Sequence, residues 1–245
     1  MALALLTASF ALGQPAEAAH TRIDASFKFA GRNVRLEIFK PATPGPAPAA
    51  LVLHGASGIG SGWFVYPFAQ AMADKGVAAV VVHYYDGLGK RGGKASPSIF
   101  RTRDAILEAA IKYVLSRPDI RSDGLGIYGM SLGGFHALSL GVGDERVRAV
   151  VSLGGALSGH IPRRSTAALP PTLLLHGDKD AVVPFRRAVA TSKAIEQGGA
   201  LVDLKVYRGE GHSLSQRAHS DAVRATARFM ANALRPGRVL ADSRR

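Results

Sequence analysis

From residue 50 onward the chain repeats one pattern: a short uninterrupted apolar run, then a segment with helical spacing, then another apolar run. The runs are ALVLHG (50–55), VAAVVVHYY (77–85), GLGIYG (124–129), VRAVVSLGG (147–155), PTLLLHG (171–177) and LVDLKVYRG (201–209). Strands that are apolar on both faces belong in a parallel sheet covered on both sides, because only there does neither face meet water. Between the runs, Phe64, Phe68 and Met72 recur at helical spacing over 63–75, and Phe100, Leu107, Ala110 and Val114 make one stripe over 98–116. Further helices are expected from Leu132, over 185–197 and over 214–234, the last carrying Ala222, Phe229, Met230 and Ala233. Strand–helix alternation of this length predicts an α/β fold, doubly wound around a mostly parallel sheet.

The segment before it differs. Residues 23–41, IDASFKFAGRNVRLEIFKP, alternate apolar and polar on both sides of Gly31-Arg32-Asn33, the pattern of a β-hairpin. PATPGPAPAA (41–50) is dense in proline and reads as a surface connector, neither helix nor strand. The first 19 residues hold a short apolar run from Ala2 to Leu12, a break at Gln14-Pro15, and small residues at Ala16 and Ala18. That is the layout of a secretory signal peptide, without the positive charge that normally precedes the apolar run, and the run is too short to span a bilayer. The expected division is a leader at 1–19, one α/β domain at 20–235 and a basic tail at 236–245. The leader implies a periplasmic or secreted location, with the cytoplasm as the alternative.

Composition narrows the chemistry. The chain has no cysteine, which excludes disulfides, thiolate metal sites and cysteine nucleophiles. Its formal net charge is +13, but the basic residues are scattered. The denser spots are Lys90-Arg91 with Lys94, Arg163-Arg164, Arg186-Arg187 and Arg244-Arg245, and none is interleaved with aromatics. They read as a solvated surface, so no nucleic-acid partner is expected, and because no stretch after the first 19 residues is apolar and long enough to cross a bilayer, no stable membrane insertion is expected either. Nothing in the sequence speaks to oligomeric state.

The third run leads into GIYGMSLGG (126–134), where Gly129-Met130-Ser131-Leu132-Gly133 matches G-x-S-x-G. Chance supplies this pattern easily in a glycine-rich chain; its place at a strand-to-helix junction is what gives it weight. A sharp turn there exposes the serine at the carboxyl edge of the sheet, where open parallel sheets bind ligands. A serine hydroxyl is a weak nucleophile unless a base takes its proton and an acid orients the base. On this architecture the order is serine, acid, histidine. No Asp or Glu lies between Glu145 and Asp178, so the acid falls to Asp178, Asp180 or a later residue. Of eight histidines only His212 and His219 follow. His212 lies in the glycine-bounded loop GEGHSL after the last strand, whereas His219 falls inside the last helix and reads as a helix-face residue. His136, on the helix after Ser131, reads as packing or surface rather than chemistry. LHGASGIGSG (53–62) is the natural second donor loop for an oxyanion hole, with the N–H groups of Leu132 and Ala56 as candidates. His54 reads as a residue that holds this loop rather than as a base. The loop has no G-x-G-x-x-G in the dinucleotide register.

These stretches together resemble the α/β-hydrolase family, and within it the dienelactone hydrolase-related branch. The resemblance covers about residues 48–234 and rests on LVLHGASG, GIYGMSLGG, LLLHGDKDAVVP and GEGHSL. It implies that the acid lies in a G-x-x-D-x-x-V-P setting, which points to Asp180 over Asp178. It also implies ester or lactone hydrolysis through an acyl-enzyme, on a small-molecule substrate, with no metal or organic cofactor. The namesake enzymes use a cysteine nucleophile, which this chain lacks, so the resemblance extends to serine carboxylesterases and acyltransferases rather than to dienelactone as substrate. Acyl transfer, peptide cleavage or a non-catalytic binding role on the same fold are the alternatives. Two segments bear on substrate choice. DGLGKRGGKASPS (86–98) reads as a solvated loop at the mouth, with anion attraction by Lys90, Arg91 and Lys94 as the lesser reading. GALSGHIPRRSTAALPP (155–171) is a short stretch where relatives insert a lid, so an open site is expected.

Overall fold

The computed structural model describes residues 20–60, 62–91, 96–158 and 163–235. The expected leader 1–19, the tail 236–245, the side chains of Lys90, Arg91, Arg163 and Arg164, Lys94, and residues 159–162 of the short stretch 155–171 lie outside the described residues.

Strands β1 (His20–Phe29) and β2 (Arg32–Pro41) form the expected antiparallel hairpin. Phe29 pairs with Arg32, so the turn is Ala30-Gly31, with φ of 46° and 78°. Two positive φ values match the twist of the flanking strands in a two-residue loop. Arg32 and Asn33, expected in the turn, are already strand. The hairpin is the antiparallel edge of an eight-stranded sheet in the order β1-β2-β4-β3-β5-β6-β7-β8. Here β3 is Ala47–Leu53, β4 Ala78–Val82, β5 Ile120–Met130, β6 Val147–Leu153, β7 Thr172–Gly177 and β8 Val202–Tyr207, and all of them pair in parallel. β2 meets β4 antiparallel. The fold is thus α/β with a mostly parallel sheet, as expected.

Among the described residues five α-helices cover it: α1 (Tyr66–Ala73), α2 (Pro97–Leu115), α3 (Leu132–Gly141), α4 (Phe185–Gln197) and α5 (Gln216–Ala233). Successive strand residues serve opposite faces, as the pleat requires. Leu51, Val80 and Ile127 pack with Ile106, Leu107 and Ile111 of α2 and Leu138 of α3. Their neighbours Val52, Val81 and Tyr128 pack with Phe68 and Met72 of α1 and Ala222 and Met230 of α5. Each of these side chains is sealed from solvent, which stabilises the fold by about 1.5–3 kcal/mol for each large one. β8, the edge, is only half-buried and carries Asp203 and Lys205, charges that discourage pairing with another chain. Ser96 caps α2 by accepting the Ile99 N–H at 3.2 Å, with Pro97 in the first turn.

Two boundaries depart from expectation. The proline-rich stretch 41–50 is not wholly connector, because β3 begins at Ala47. Pro48 has no N–H to give, and the β3–β5 register shifts between Ala47 and Ala49, so the ladder passes over it. β5 starts at Ile120 rather than 124 and runs through Met130. Ser131 therefore follows the strand directly, not two residues later.

Candidate active site

Ser131 occupies the single residue between β5 and α3, with φ 53° and ψ −118°. A non-glycine residue at positive φ costs on the order of 1–3 kcal/mol and persists only where surroundings over-determine it. They do so here. Its N–H donates to Leu153 O at 2.7 Å, and its carbonyl accepts the Phe135 N–H at 3.1 Å, the first bond of the helix. The flanking glycines are required by space. A Cβ at Gly129 would overlap the Gly133 carbonyl, and one at Gly133 would overlap the backbone of Leu53. This is the sharp turn that the motif predicts.

The bend presents the Ser131 hydroxyl to His212. Ser131 Oγ lies 2.9 Å from His212 Nε2, and His212 Nδ1 lies 2.7 Å from Asp180 Oδ2. An ionised Asp180 can only accept, so His212 carries its proton on Nδ1 and leaves Nε2 free to accept from the hydroxyl. Asp180, with its side chain 1% exposed, is held at both oxygens. Oδ1 accepts the N–H groups of Val182 and Val183 at 2.9 and 2.8 Å. Oδ2, besides His212, has His176 Nε2 at 3.3 Å. His176 donates from that nitrogen to Val183 O at 2.8 Å, and burial lowers its pKa, so it is a neutral brace and not a counter-ion. The other acid, Asp178, is turned elsewhere and accepts the Gly209 N–H at 2.7 Å.

The loop after β3 lies against the turn. Its Ala56 lines the same cleft as Ser131 and His212. Gly55 O accepts from His54 Nδ1 at 2.8 Å and from the Gly58 N–H at 3.1 Å. The Ala56 N–H is the other edge of that planar peptide, so pinning the carbonyl aims the N–H the opposite way. Tyr84 and Tyr85, just after β4, hold the neighbouring carbonyls: Tyr84 Oη donates to His54 O at 2.7 Å and Tyr85 Oη to Ala56 O at 2.8 Å. The His54 ring stacks on Tyr84 with centroids 4.0 Å apart. Burial lowers its pKa to about 4, which suits a neutral loop anchor and not a base. Leu132 is the first residue of α3, so its N–H has no acceptor within the helix.

The cleft holds about 550 Å³, and its lining combines Gly55, Ala56, Ser131 and His212 with the apolar side chains of Ile59, Trp63, Phe64, Val65, Met130 and Val182. Sequence reasoning had passed over His176, Tyr84, Tyr85 and Trp63. The tyrosine pair in HYYD at a strand end is the available signal, because a phenol packed into the interior needs a hydrogen-bond partner for its O–H. His219 is on α5 as expected, with its ring turned inward, 3% exposed. His136 is packing, with its ring stacked on Phe100 at 4.1 Å. Among the described residues no group of three or more His, Asp or Glu is gathered to hold a metal, and no helix is long and apolar enough to cross a membrane.

Comparison with known proteins agrees with this architecture. The family model described as the Dienelactone hydrolase family matches residues 34–234. Acyl-coenzyme A thioesterase 2, mitochondrial, of Mus musculus is 31% identical over 146 residues, covering 58% of this chain and 30% of the thioesterase. The chain thus spans about a third of the length of that relative. A Bradyrhizobium protein described as a probable 2-oxo-3-(5-oxofuran-2-ylidene)propanoate lactonase is 25% identical over 205 residues, covering 77% of this chain and 81% of the lactonase. The solved structure of dienelactone hydrolase from Anabaena variabilis superposes with a TM-score of 0.72 at 21% identity, covering 89% of this chain and all of that one.

Proposed function

The chain belongs to the dienelactone hydrolase family, and from that premise we propose that it is a serine hydrolase of carboxylic esters and lactones, working through an acyl-enzyme on Ser131. The observation that carries the proposal is the unbroken hydrogen-bond path from Ser131 Oγ through His212 to Asp180. Ser131 Oγ attacks the carbonyl carbon as His212 Nε2 takes its proton. Asp180 holds the Nδ1–H tautomer and stabilises the imidazolium that forms. The N–H groups of Leu132 and Ala56 stabilise the oxyanion, each worth about 3–4 kcal/mol in a preorganised site. His212 then gives its proton to the leaving alcohol and takes one from water; the hydroxide formed attacks the acyl carbon, and His212 returns the proton to Ser131 Oγ as the acid departs.

The lactonase likeness over most of both chains supports an oxygen ester. A second reading, a thioester, is favoured by the likeness to the mouse thioesterase, since the same attack serves either leaving group. A panel of nitrophenyl esters, lactones, thioesters and aminoacyl amides, run on wild type and Ser131→Ala, tests both. Turnover that survives in Ser131→Ala overturns the proposal. A fluorophosphonate probe that fails to label Ser131 argues for a binding role, and a competing alcohol separates hydrolysis from acyl transfer.

A further inference from the structure

The chemistry above uses part of the cleft's lining and leaves its apolar residues unexplained. Among the described residues only three large hydrophobic side chains are exposed, Trp63, Val182 and Leu201, and two of these line this cleft. Trp63 is 42% exposed and Val182 68%. Large apolar side chains left wet together, beside a nucleophile, mark a surface that meets a ligand. Ile59, Phe64, Val65 and Met130 belong to the lining of the same cleft.

Trp63 is also fixed in place. Its ring stacks on His219 with centroids 4.1 Å apart and 24° between planes. The Trp63 carbonyl accepts from His219 Nε2 at 2.9 Å. His219 is itself wedged edge-on against Phe64 and Phe68, each 5.3 Å away. A rigid indole offers a planar apolar face at little entropy cost, and aromatic rings gain from offset stacking beyond the area they bury.

Resting on the hydrolase reading above, we propose that Trp63 forms a subsite for a planar apolar group of the substrate, an aryl ring carried on the acyl or the alcohol side of the ester. His219 is its positioning residue, presetting the indole from behind. The ring would lie against Trp63 while the ester carbonyl reaches Ser131.

The test compares kcat/KM for phenyl acetate, methyl benzoate, methyl hexanoate and ethyl acetate in wild type, Trp63→Ala, Trp63→Phe, His219→Ala and His219→Phe. In Trp63→Ala the preference for at least one aryl ester over ethyl acetate should fall about tenfold or more, mostly through KM, and Trp63→Phe should restore most of it. Whichever aryl ester responds identifies the side that carries the ring. His219→Ala should shift the same ratio severalfold, with His219→Phe recovering it because the stack survives. A uniform loss across the panel, an equal loss for methyl hexanoate, or an unchanged ratio overturns the subsite. Trp63 is the chain's single tryptophan, so its fluorescence reads occupancy directly. In Ser131→Ala, methyl benzoate or phenyl acetate should quench or shift that emission, and no response overturns the proposal. A response without any wild-type turnover or fluorophosphonate labelling keeps the subsite and overturns the hydrolase reading instead.

Discussion

Two aspartate–histidine pairs in this molecule share one hydrogen bond and differ in everything around it. In each, an imidazole Nδ1 lies 2.7 Å from a carboxylate: His212 on Asp180, His136 on Asp104. Each has a serine nearby. Around His212 the serine sits on the far nitrogen, at 2.9 Å, and the histidine side chain is 16% exposed to the cleft. Around His136 the serine is Ser139, which donates to the carboxylate instead, at 2.9 Å. His136 is fully buried, and its Nε2 has no hydrogen-bond partner among the described residues. A carboxylate can orient any imidazole. What separates a candidate catalytic pair from a structural one is a hydroxyl and solvent at the other nitrogen.

The largest effects should fall on the open pair. Ser131→Ala and His212→Ala should each lower kcat/KM by about 10⁴-fold or more in steady-state ester hydrolysis, while circular dichroism shows the fold intact. Asp180→Asn should cost on the order of 10²–10⁴-fold, because the amide can stabilise the wrong tautomer. Asp178→Asn should stay within about threefold, since its oxygen still accepts the Gly209 N–H. Equal losses at the two aspartates would break the assignment.

Smaller is the effect of loosening the donor loop. Tyr85→Phe removes one bond, to Ala56 O, and should lower kcat about fivefold with KM little changed. A change in KM alone would place the phenol against substrate rather than behind the loop. For the closed pair the expectation reverses. His136→Leu should leave turnover within about twofold but lower stability by about 1–3 kcal/mol in urea unfolding, because Asp104 loses a partner. A large kinetic loss with unchanged stability would mean that the two pairs are less different than their surroundings indicate.

Acidification sharpens the same contrast through stability. Burial lowers the pKa of His136, and likewise of His54, His176 and His219, because a buried imidazolium loses its hydration; at His136 this outweighs the pull of Asp104. A histidine whose folded pKa is depressed binds its proton more readily in the unfolded chain. Its stabilising contribution is complete above about pH 6.5, the unfolded value, and is lost as pH falls. For His54 the loss continues down to about pH 4. Thermal melts should therefore show Tm falling from pH 7 to pH 5, with a shallower fall in His136→Leu. A flat profile would mean that these rings are hydrated.

Much of this was legible beforehand because it is periodic or local. Unbroken apolar runs announce a sheet covered on both faces, and helical stripes announce the cover. Serine, then acid, then histidine at successive strand ends announces where to look. The boundaries that slipped did so where backbone chemistry overrode pattern: Pro48 inside β3 at a register shift, and Met130 still in the strand that delivers Ser131. The choice between Asp178 and Asp180 followed a different course. Spacing left both open and family likeness favoured Asp180; the structure separates them by their partners, His212 for one and the Gly209 N–H for the other.

By itself, then, the sequence determined the fold class, the edge of the sheet where the candidate site lies, and the short set of residue types proposed for it. Only the tertiary structure decided which imidazole meets the serine, which carboxylate steadies it, and that Trp63 is mounted on His219 at the cleft wall. The reason is distance along the chain. Ser131 and His212 meet across 81 residues and Trp63 and His219 across 156, and a pattern that repeats every two or 3.6 residues encodes which face a side chain serves, not whom it meets there.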